Sequence, residues 1–263
     1  MRKKSDLNGS GDLNSMTARN GLDQKVDPLE VCFPIAQEYT VGKYKIIGTG
    51  FFVLNFGVFV TARHVFEDVI DFSSGEQSDA LVILHAQNDG SFITRSINEI
   101  NINNNSDIAL GIVANDINNE IINKTLDVSF EIPAVNSRVF TYAFPASECL
   151  DGKLNVVDGC YPGVIKKIYE KKRDSVLLTW PVIETTMYIH SSASGGPVFY
   201  DGKVFAVNTS SLEVEGGVTS HSYVTPVVEA AGLYVPGLIN HDGCQIILAD
   251  ALKLKGQFSK RAN

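Results

Sequence analysis

Ser194 stands before two glycines and a proline, in the run His190-Ser191-Ser192-Ala193-Ser194-Gly195-Gly196-Pro197-Val198-Phe199. Glycine opens backbone conformations closed to other residues and lets another chain approach the main chain. Proline then fixes φ and bars an immediate helix. The sequence therefore predicts a tight bend that presents one hydroxyl. A serine hydroxyl attacks a carbonyl only when a neighbouring base takes its proton. His64, in Phe59-Val60-Thr61-Ala62-Arg63-His64-Val65, offers an imidazole with an ordinary pKa of ~6.5. Asp107, in Asn105-Ser106-Asp107-Ile108-Ala109-Leu110, offers a carboxylate to hold that imidazole in one tautomer. Together the three could carry out acyl transfer through a covalent ester.

Each of these residues has rivals. Asp68, Asp71, Asp79, Asp89 and Asp116 also lie between His64 and Ser194, but Asp107 alone runs at once into an apolar strand, Ile108–Val113, that could bury the carboxylate behind the imidazole. Ser191 and Ser192 compete with Ser194, which alone precedes the glycine pair. Taken singly, a histidine in a turn and an aspartate closing an Asn-rich loop are ordinary structural features. Their order and company point to chemistry instead.

In the order His, Asp, Ser, these segments resemble the trypsin/chymotrypsin-like serine proteases, and most of all the bacterial HtrA/Deg-type protease domain. The matching residues are Gly48-Thr49-Gly50-Phe51, Thr61-Ala62-Arg63-His64-Val65, Asp107-Ile108-Ala109-Leu110 and Ser194-Gly195-Gly196-Pro197. The resemblance spans roughly residues 30–250. It implies a serine endopeptidase with His64, Asp107 and Ser194 as catalytic residues, and a protein or peptide as substrate. It also implies an oxyanion hole from the backbone N–H groups of Ser192 and Ser194, with Ala193 between them. Ser192 departs from the family, which places glycine there for an unusual backbone conformation. A second departure is Ala193 before the nucleophile, where secreted digestive relatives carry an aspartate that pairs with a new N-terminus. Control by loop ordering or by an activating protein partner is therefore expected, rather than by N-terminal insertion. A catalytically silent relative that binds peptides or protein partners in its cleft stays open as the alternative.

By position relative to Ser194, the resemblance assigns Tyr188, Ile189, Asn208, Thr209 and Ser210 to the pocket for the side chain preceding the cut bond. No aspartate stands there to hold a basic side chain, so small or medium aliphatic residues are expected. His190 and His221 lie near in sequence and could favour an acidic side chain instead. An esterase of the α/β-hydrolase type is disfavoured, because that fold needs Gly-x-Ser-x-Gly between strand and helix, with histidine after serine.

These groups need a scaffold, and the 263-residue chain reads as all-β. Short β-branched and aromatic runs alternate with Gly, Asn and Asp from Val31 onward, as in a sandwich or barrel. Tyr44–Leu54 and Val58–Thr61 predict a hairpin around Asn55-Phe56-Gly57. Further strands are expected at 80–84, 108–113, 138–142, 163–168, 175–180, 186–189, 198–207 and 222–226, with short helical turns at 62–71 and 227–231. The Asn-rich run 98–105 reads as a surface loop, and the basic cluster 166–173 as a hairpin tip. The resemblance sharpens this into two six-stranded antiparallel β-barrels, chymotrypsin-like, with the site in the cleft between them. Residues 29–130 would form the first barrel, carrying His64 and Asp107, and 131–252 the second, carrying Ser194. Residues 1–28 read as a disordered or loosely attached segment and 253–263 as a polar tail, with no room for the peptide-binding module that HtrA proteins usually add.

Composition closes off other classes. A net charge of −8 argues against a nucleic-acid partner, which would need a basic surface. The basic start Met1-Arg2-Lys3-Lys4 leads into polar residues rather than an apolar run, and no stretch reaches the ~20 apolar residues of a membrane span. A cytoplasmic chain without membrane association is expected. Cys32, Cys149, Cys160 and Cys244 are scattered without a C-x-x-C pair, so free thiols are expected, with no metal site and no cofactor.

Overall fold

The computed structural model describes residues 17–20, 24–71, 76–77, 80–87, 91–114, 122, 124–144, 148–150, 153–155, 157–189, 192–214 and 218–261. The main strands close into two antiparallel barrels of six strands each. The first is built from β1 (Cys32–Thr40), β2 (Lys43–Leu54), β3 (Val58–Thr61), β4 (Ala80–Ala86), β5 (Phe92–Ile102) and β6 (Ala109–Val113), in the order β6-β3-β2-β1-β4-β5. The second contains β7 (Arg138–Ala143), β8 (Gly159–Tyr169), β9 (Val182–Thr185), β10 (Pro197–Tyr200), β11 (Lys203–Val214) and β12 (Val218–Pro226), in the order β7-β8-β9-β12-β11-β10. Closure leaves no free sheet edge, which an open sheet of this length would have to protect.

Local sequence accounts for the tight connections. Asn55-Phe56-Gly57 joins β2 to β3, with Phe56 at φ +68° and Gly57 at φ +81°. Asp201-Gly202, both at positive φ, closes the β10–β11 hairpin; Asp-Gly suits the primed turn that matches strand twist. After β3 the chain makes a short 3-10 turn, Arg63–Val65, and so carries His64 off the end of a barrel strand.

The main hydrophobic core fills the first barrel with Phe33, Phe51, Phe52 and Phe59 and continues across the seam to Phe140, Tyr142, Phe144 and Phe199. A separate cluster, including Ile165, Ile183, Met187, Ile189 and Phe205, fills the second barrel. The linker joins them, with Val128 bridging Val204 in parallel.

Four segments differ from expectation. Residues 175–180 form a loop, because the Asp174 carboxylate accepts the backbone N–H groups of Val176, Leu177 and Leu178 and so removes them from any ladder. Residues 186–189 lie outside the strands, although Thr186 N–H still donates to Val164 O (3.1 Å). The Asn-rich run 98–102 belongs to β5, where Ile100 and Ile102 pack on the core while Asn98 and Glu99 face solvent; only the residues after Ile102 form the loop. The expected tail is a helix, α1 (Leu248–Arg261), whose Leu248 and Ala251 are buried. At the other end, Ala18–Arg19 and Lys25–Val26 pair as a short ribbon, with Ala18 buried and Arg19 N–H donating to Gly202 O. Residues 1–16 lie outside the described residues. No helix among the described residues is long and apolar enough to cross a membrane.

Candidate active site

The 3-10 turn after β3 brings His64 to the loop between β5 and β6. There the His64 backbone N–H donates to Asp107 Oδ1 (2.9 Å) and the ring Nδ1–H to Oδ2 (2.8 Å). Asp107 is 4% exposed, so its charge is held in a poorly solvated place and satisfied by the residue it orients. With Nδ1 committed, Nε2 is the imidazole nitrogen left for chemistry. Burial alone would lower the His64 pKa. The hydrogen bond and charge of Asp107, joined by Glu67 and Asp68, outweigh it and raise the pKa above its ordinary value of 6.5.

Ser194 arrives from the second barrel. Its carbonyl accepts the Thr49 N–H of β2 (2.8 Å), and Thr49 Oγ1 donates to Ser192 O (2.9 Å). The Gly-Gly pair is clamped to β11: Gly195 N–H donates to Asn208 O (2.8 Å) and Asn208 N–H to Gly196 O (2.9 Å). The Asn208 side chain lies beneath this bend, its Nδ2 donating to Thr141 Oγ1 (2.7 Å) and Ala193 O (3.1 Å).

Two glycines let the barrels meet here. A Cβ on Gly195, at φ +86°, would collide with Thr61 Oγ1 and Thr49 O and come within 3.0 Å of Ala62 N, two residues before His64. A Cβ on Gly48 would lie 2.6 Å from Val65 and 3.1 Å from Ser194 O. The segments bearing His64 and Ser194 thus press on the same short stretch of β2. Among the described residues no hydrogen bond joins Ser194 Oγ to the His64 ring. Catalytic hydrogen bonds are often long before substrate binds.

The bend carries its strain at Ser192, a non-glycine residue at φ +68°. Ala193 is buried in the second-barrel core and anchors the loop. The N–H groups of Ser192 and Ser194 donate to no acceptor among the described residues.

The other residues singled out in the sequence lie as follows. Thr209 and Ser210 line a cleft of about 840 Å³ that also reaches His64, Asp107, Leu177 and Trp180. Ile189 is buried in the second-barrel core, Asn208 is fully buried, and Tyr188 is 39% exposed. His221 Nδ1 pairs with Glu184 Oε1 (2.9 Å), so a carboxylate of the chain itself already occupies it. His190, Ser191, Asp79, Asp89 and Asp116 lie outside the described residues, and Asp71 and Cys149 are described in backbone only. Cys32, Cys160 and Cys244 are free thiols, and burial pushes Cys160 up to about 11. Sequence reasoning missed the bracing role of Thr49, although Gly48-Thr49-Gly50 stood out as a motif, and it missed Trp180 as a wall of the cleft.

No protein-family model matches the chain, and no curated protein does. Solved structures do. The chain is similar to Deg5, with a TM-score of 0.53 at 16% identity over 76% of this chain and 84% of that one. It is similar to the Rv3671c protease from M. tuberculosis in its active form, with a TM-score of 0.54 at 16% identity over 77% and 78% of the two chains. The HtrA-type protease AlgW with a tripeptide gives 0.54 at 15% identity, over 76% of this chain and 57% of that one. The fold is that of the trypsin-like serine proteases. At identities this low the likeness is one of fold, and these neighbours include both active and inactive forms of one protease.

Proposed function

We propose that the chain is a serine endopeptidase that cuts peptide bonds through an acyl-enzyme. The observation that carries the proposal is the double hydrogen bond from His64 to buried Asp107, set beside the Thr49-braced bend of Ser194. In the proposed reaction His64 Nε2 takes the Ser194 Oγ proton as Oγ bonds to the substrate carbonyl carbon. The oxyanion that forms is received by the N–H groups of Ser192 and Ser194, on either side of Ala193. Collapse breaks the C–N bond, and the proton on Nε2 passes to the departing amine. Water then repeats the sequence on the ester and frees Ser194. Asp107 keeps Nδ1 protonated and stabilises the imidazolium formed at each attack. These steps use only the chain's own groups, and an activating protein partner belongs to the proposal as a means of setting the Ser192 loop.

The test is digestion of a denatured proteome by the purified chain, with new N-termini mapped by mass spectrometry. Cuts present with wild type and lost with Ser194→Ala support the reading. Identical termini from both chains overturn it in favour of a silent peptide-binding domain, the reading that Ser192 in place of glycine supports.

A further inference from the structure

The end of β8 and the loop after it gather a positive charge that neither the fold nor the proposed mechanism uses. Lys166, Lys167, Lys171, Lys172 and Arg173 fall within eight residues, opposed there by Glu170 alone. The whole chain stands at −8, so this stretch is a basic patch on an acidic molecule. All four lysines are exposed. Lys167 lies over the Tyr169 ring, 4.5 Å from its centre, and Lys166, Lys171 and Lys172 pair with no carboxylate among the described residues. The carboxylates close by are engaged elsewhere. Glu184 accepts from Tyr169 Oη (3.0 Å) and pairs with His221 (2.9 Å), while Asp174 pairs with Arg173 (3.2 Å), which also covers the Tyr223 ring at 4.6 Å.

Beyond the lysines the chain closes on itself. The N–H groups of Arg173 (3.0 Å) and Asp174 (3.2 Å) both donate to Leu178 O, so residues 174–177 form a tip. Asp174 Oδ1 accepts in turn from Val176 (2.8 Å) and Leu177 (2.6 Å). These backbone bonds hold the Asp174 carboxyl below its usual range, so the tip keeps its shape at neutral pH. Leu178, buried with Val182 and Tyr223, anchors the base. Val176 and Leu177 are left side by side in solvent, 81% and 67% exposed. Two aliphatic side chains at the apex of a fixed turn, collared by lysines, match the boundary of a lipid bilayer. There the apolar pair enters the acyl region, while the lysine stems lie along it and keep their ammonium groups among the headgroups. Protein interfaces favour aromatic residues and Arg and are depleted in Lys. The one Arg of the patch is already engaged, which leaves little for planar recognition of phosphates or bases. The expectation of no membrane association rests on the absence of a spanning run, and a chain that lies on a bilayer needs none.

We propose that the tip at Val176 and Leu177, with its collar of Lys166, Lys167, Lys171 and Lys172, docks the chain on an anionic lipid bilayer. The same lipids repel the acidic remainder of the molecule and so orient it tip first. Screening within ~8 Å at physiological salt confines the attraction to the patch. Leu177 also lines the cleft, so the docked cleft opens close to the lipid surface. The proposal does not rest on the endopeptidase reading, and its test needs no cleavage. The full-length Ser194→Ala chain is co-sedimented with vesicles of phosphatidylcholine alone, and with vesicles of phosphatidylcholine and phosphatidylglycerol in equal parts. Saturable binding to the mixed vesicles is expected, about tenfold weaker on phosphatidylcholine alone and lost in ~1 M salt. Lys171→Gln combined with Lys172→Gln should weaken it about tenfold. Val176→Ser, which changes no charge, should weaken it about threefold. These positions are exposed, so an unchanged Tm is expected for each variant. Failure to bind the mixed vesicles, equal binding to both kinds, or binding unaltered in the lysine variant overturns the proposal, and binding unaltered by Val176→Ser overturns entry of the tip. Capture of a short DNA duplex or an acidic peptide with the vesicles left unbound also overturns it, in favour of that partner. Vesicle binding by a chain whose wild type cuts nothing leaves the docking surface standing and overturns the peptidase.

Discussion

His64 is pulled in two directions. Burial favours the neutral ring, while Asp107, Glu67 and Asp68 favour the cation and prevail. A base that must be neutral to act then loses activity as pH falls through a midpoint above its ordinary value. The expected kcat/KM profile therefore rises with pH through a midpoint above ~6.5. Glu67→Gln and Asp68→Asn each remove a charge that raises the pKa, so each should move that midpoint to lower pH. An unmoved midpoint in both would show that the titrating group is not His64. For stability the sign is opposite: a folded pKa above the unfolded one adds stability at low pH, which is lost as pH rises through the folded value. Asp107→Asn, which removes the acceptor fixing the tautomer, should lower kcat by about 10⁴. Ser192 gives a second prediction. Its φ of +68° strains an L-residue, and glycine relieves that strain. Ser192→Gly should stabilise the chain by about 0.5–1 kcal/mol, the αL penalty less the entropy of the added glycine, read as a higher Tm. An unchanged or lower Tm would mean that the left-handed conformation costs serine no more than the backbone entropy that glycine adds to the unfolded chain.

At the scale of elements, α1 is fastened by an unusual latch. Leu248 and Ala251 bury one face, and Lys255 on the same face donates to Val53 O (2.9 Å) and Leu126 O (3.2 Å). Burial lowers the Lys255 pKa to about 8, partly offset by Asp127. Its folded pKa lies below the unfolded one, so between pH 8 and 10.5 the unfolded chain binds more protons and this group adds stability as pH rises. Chemical denaturation across that range should show wild type gaining stability relative to Lys255→Met. A constant difference would place the amine in water. The sequence hid this helix behind polar composition. It hid β5 in the same way, since the Asn residues among Ile97, Ile100 and Ile102 looked like loop. It misread residues 175–180 for the opposite reason: Val176-Leu177-Leu178 is strand-like, but Asp174 captures their N–H groups. The strands themselves were legible because apolar runs and turn residues set them locally, while their closure into two six-stranded barrels was implied by the resemblance to trypsin-like proteases. The braces on Ser194 were not, since Thr49 lies 143 residues from the Ser192 carbonyl it holds.

At the scale of the molecule, each barrel brings part of the site and neither brings all of it. The first holds His64 and Asp107, and the second holds Ser194 and the wall at Trp180. The shared core through Phe33, Phe140, Tyr142 and Phe199, with the Thr49 contacts above it, fixes one barrel against the other. Gly48 and Gly195 are the places where this closeness forbids a side chain. The most direct test of the account is covalent labelling by a fluorophosphonate probe, with the adduct mapped by mass spectrometry, on wild type, Ser194→Ala and His64→Ala. The account predicts a single adduct on Ser194 in wild type and none in either variant. An unlabelled wild type, or labelling of Ser194 that persists without His64, would contradict it.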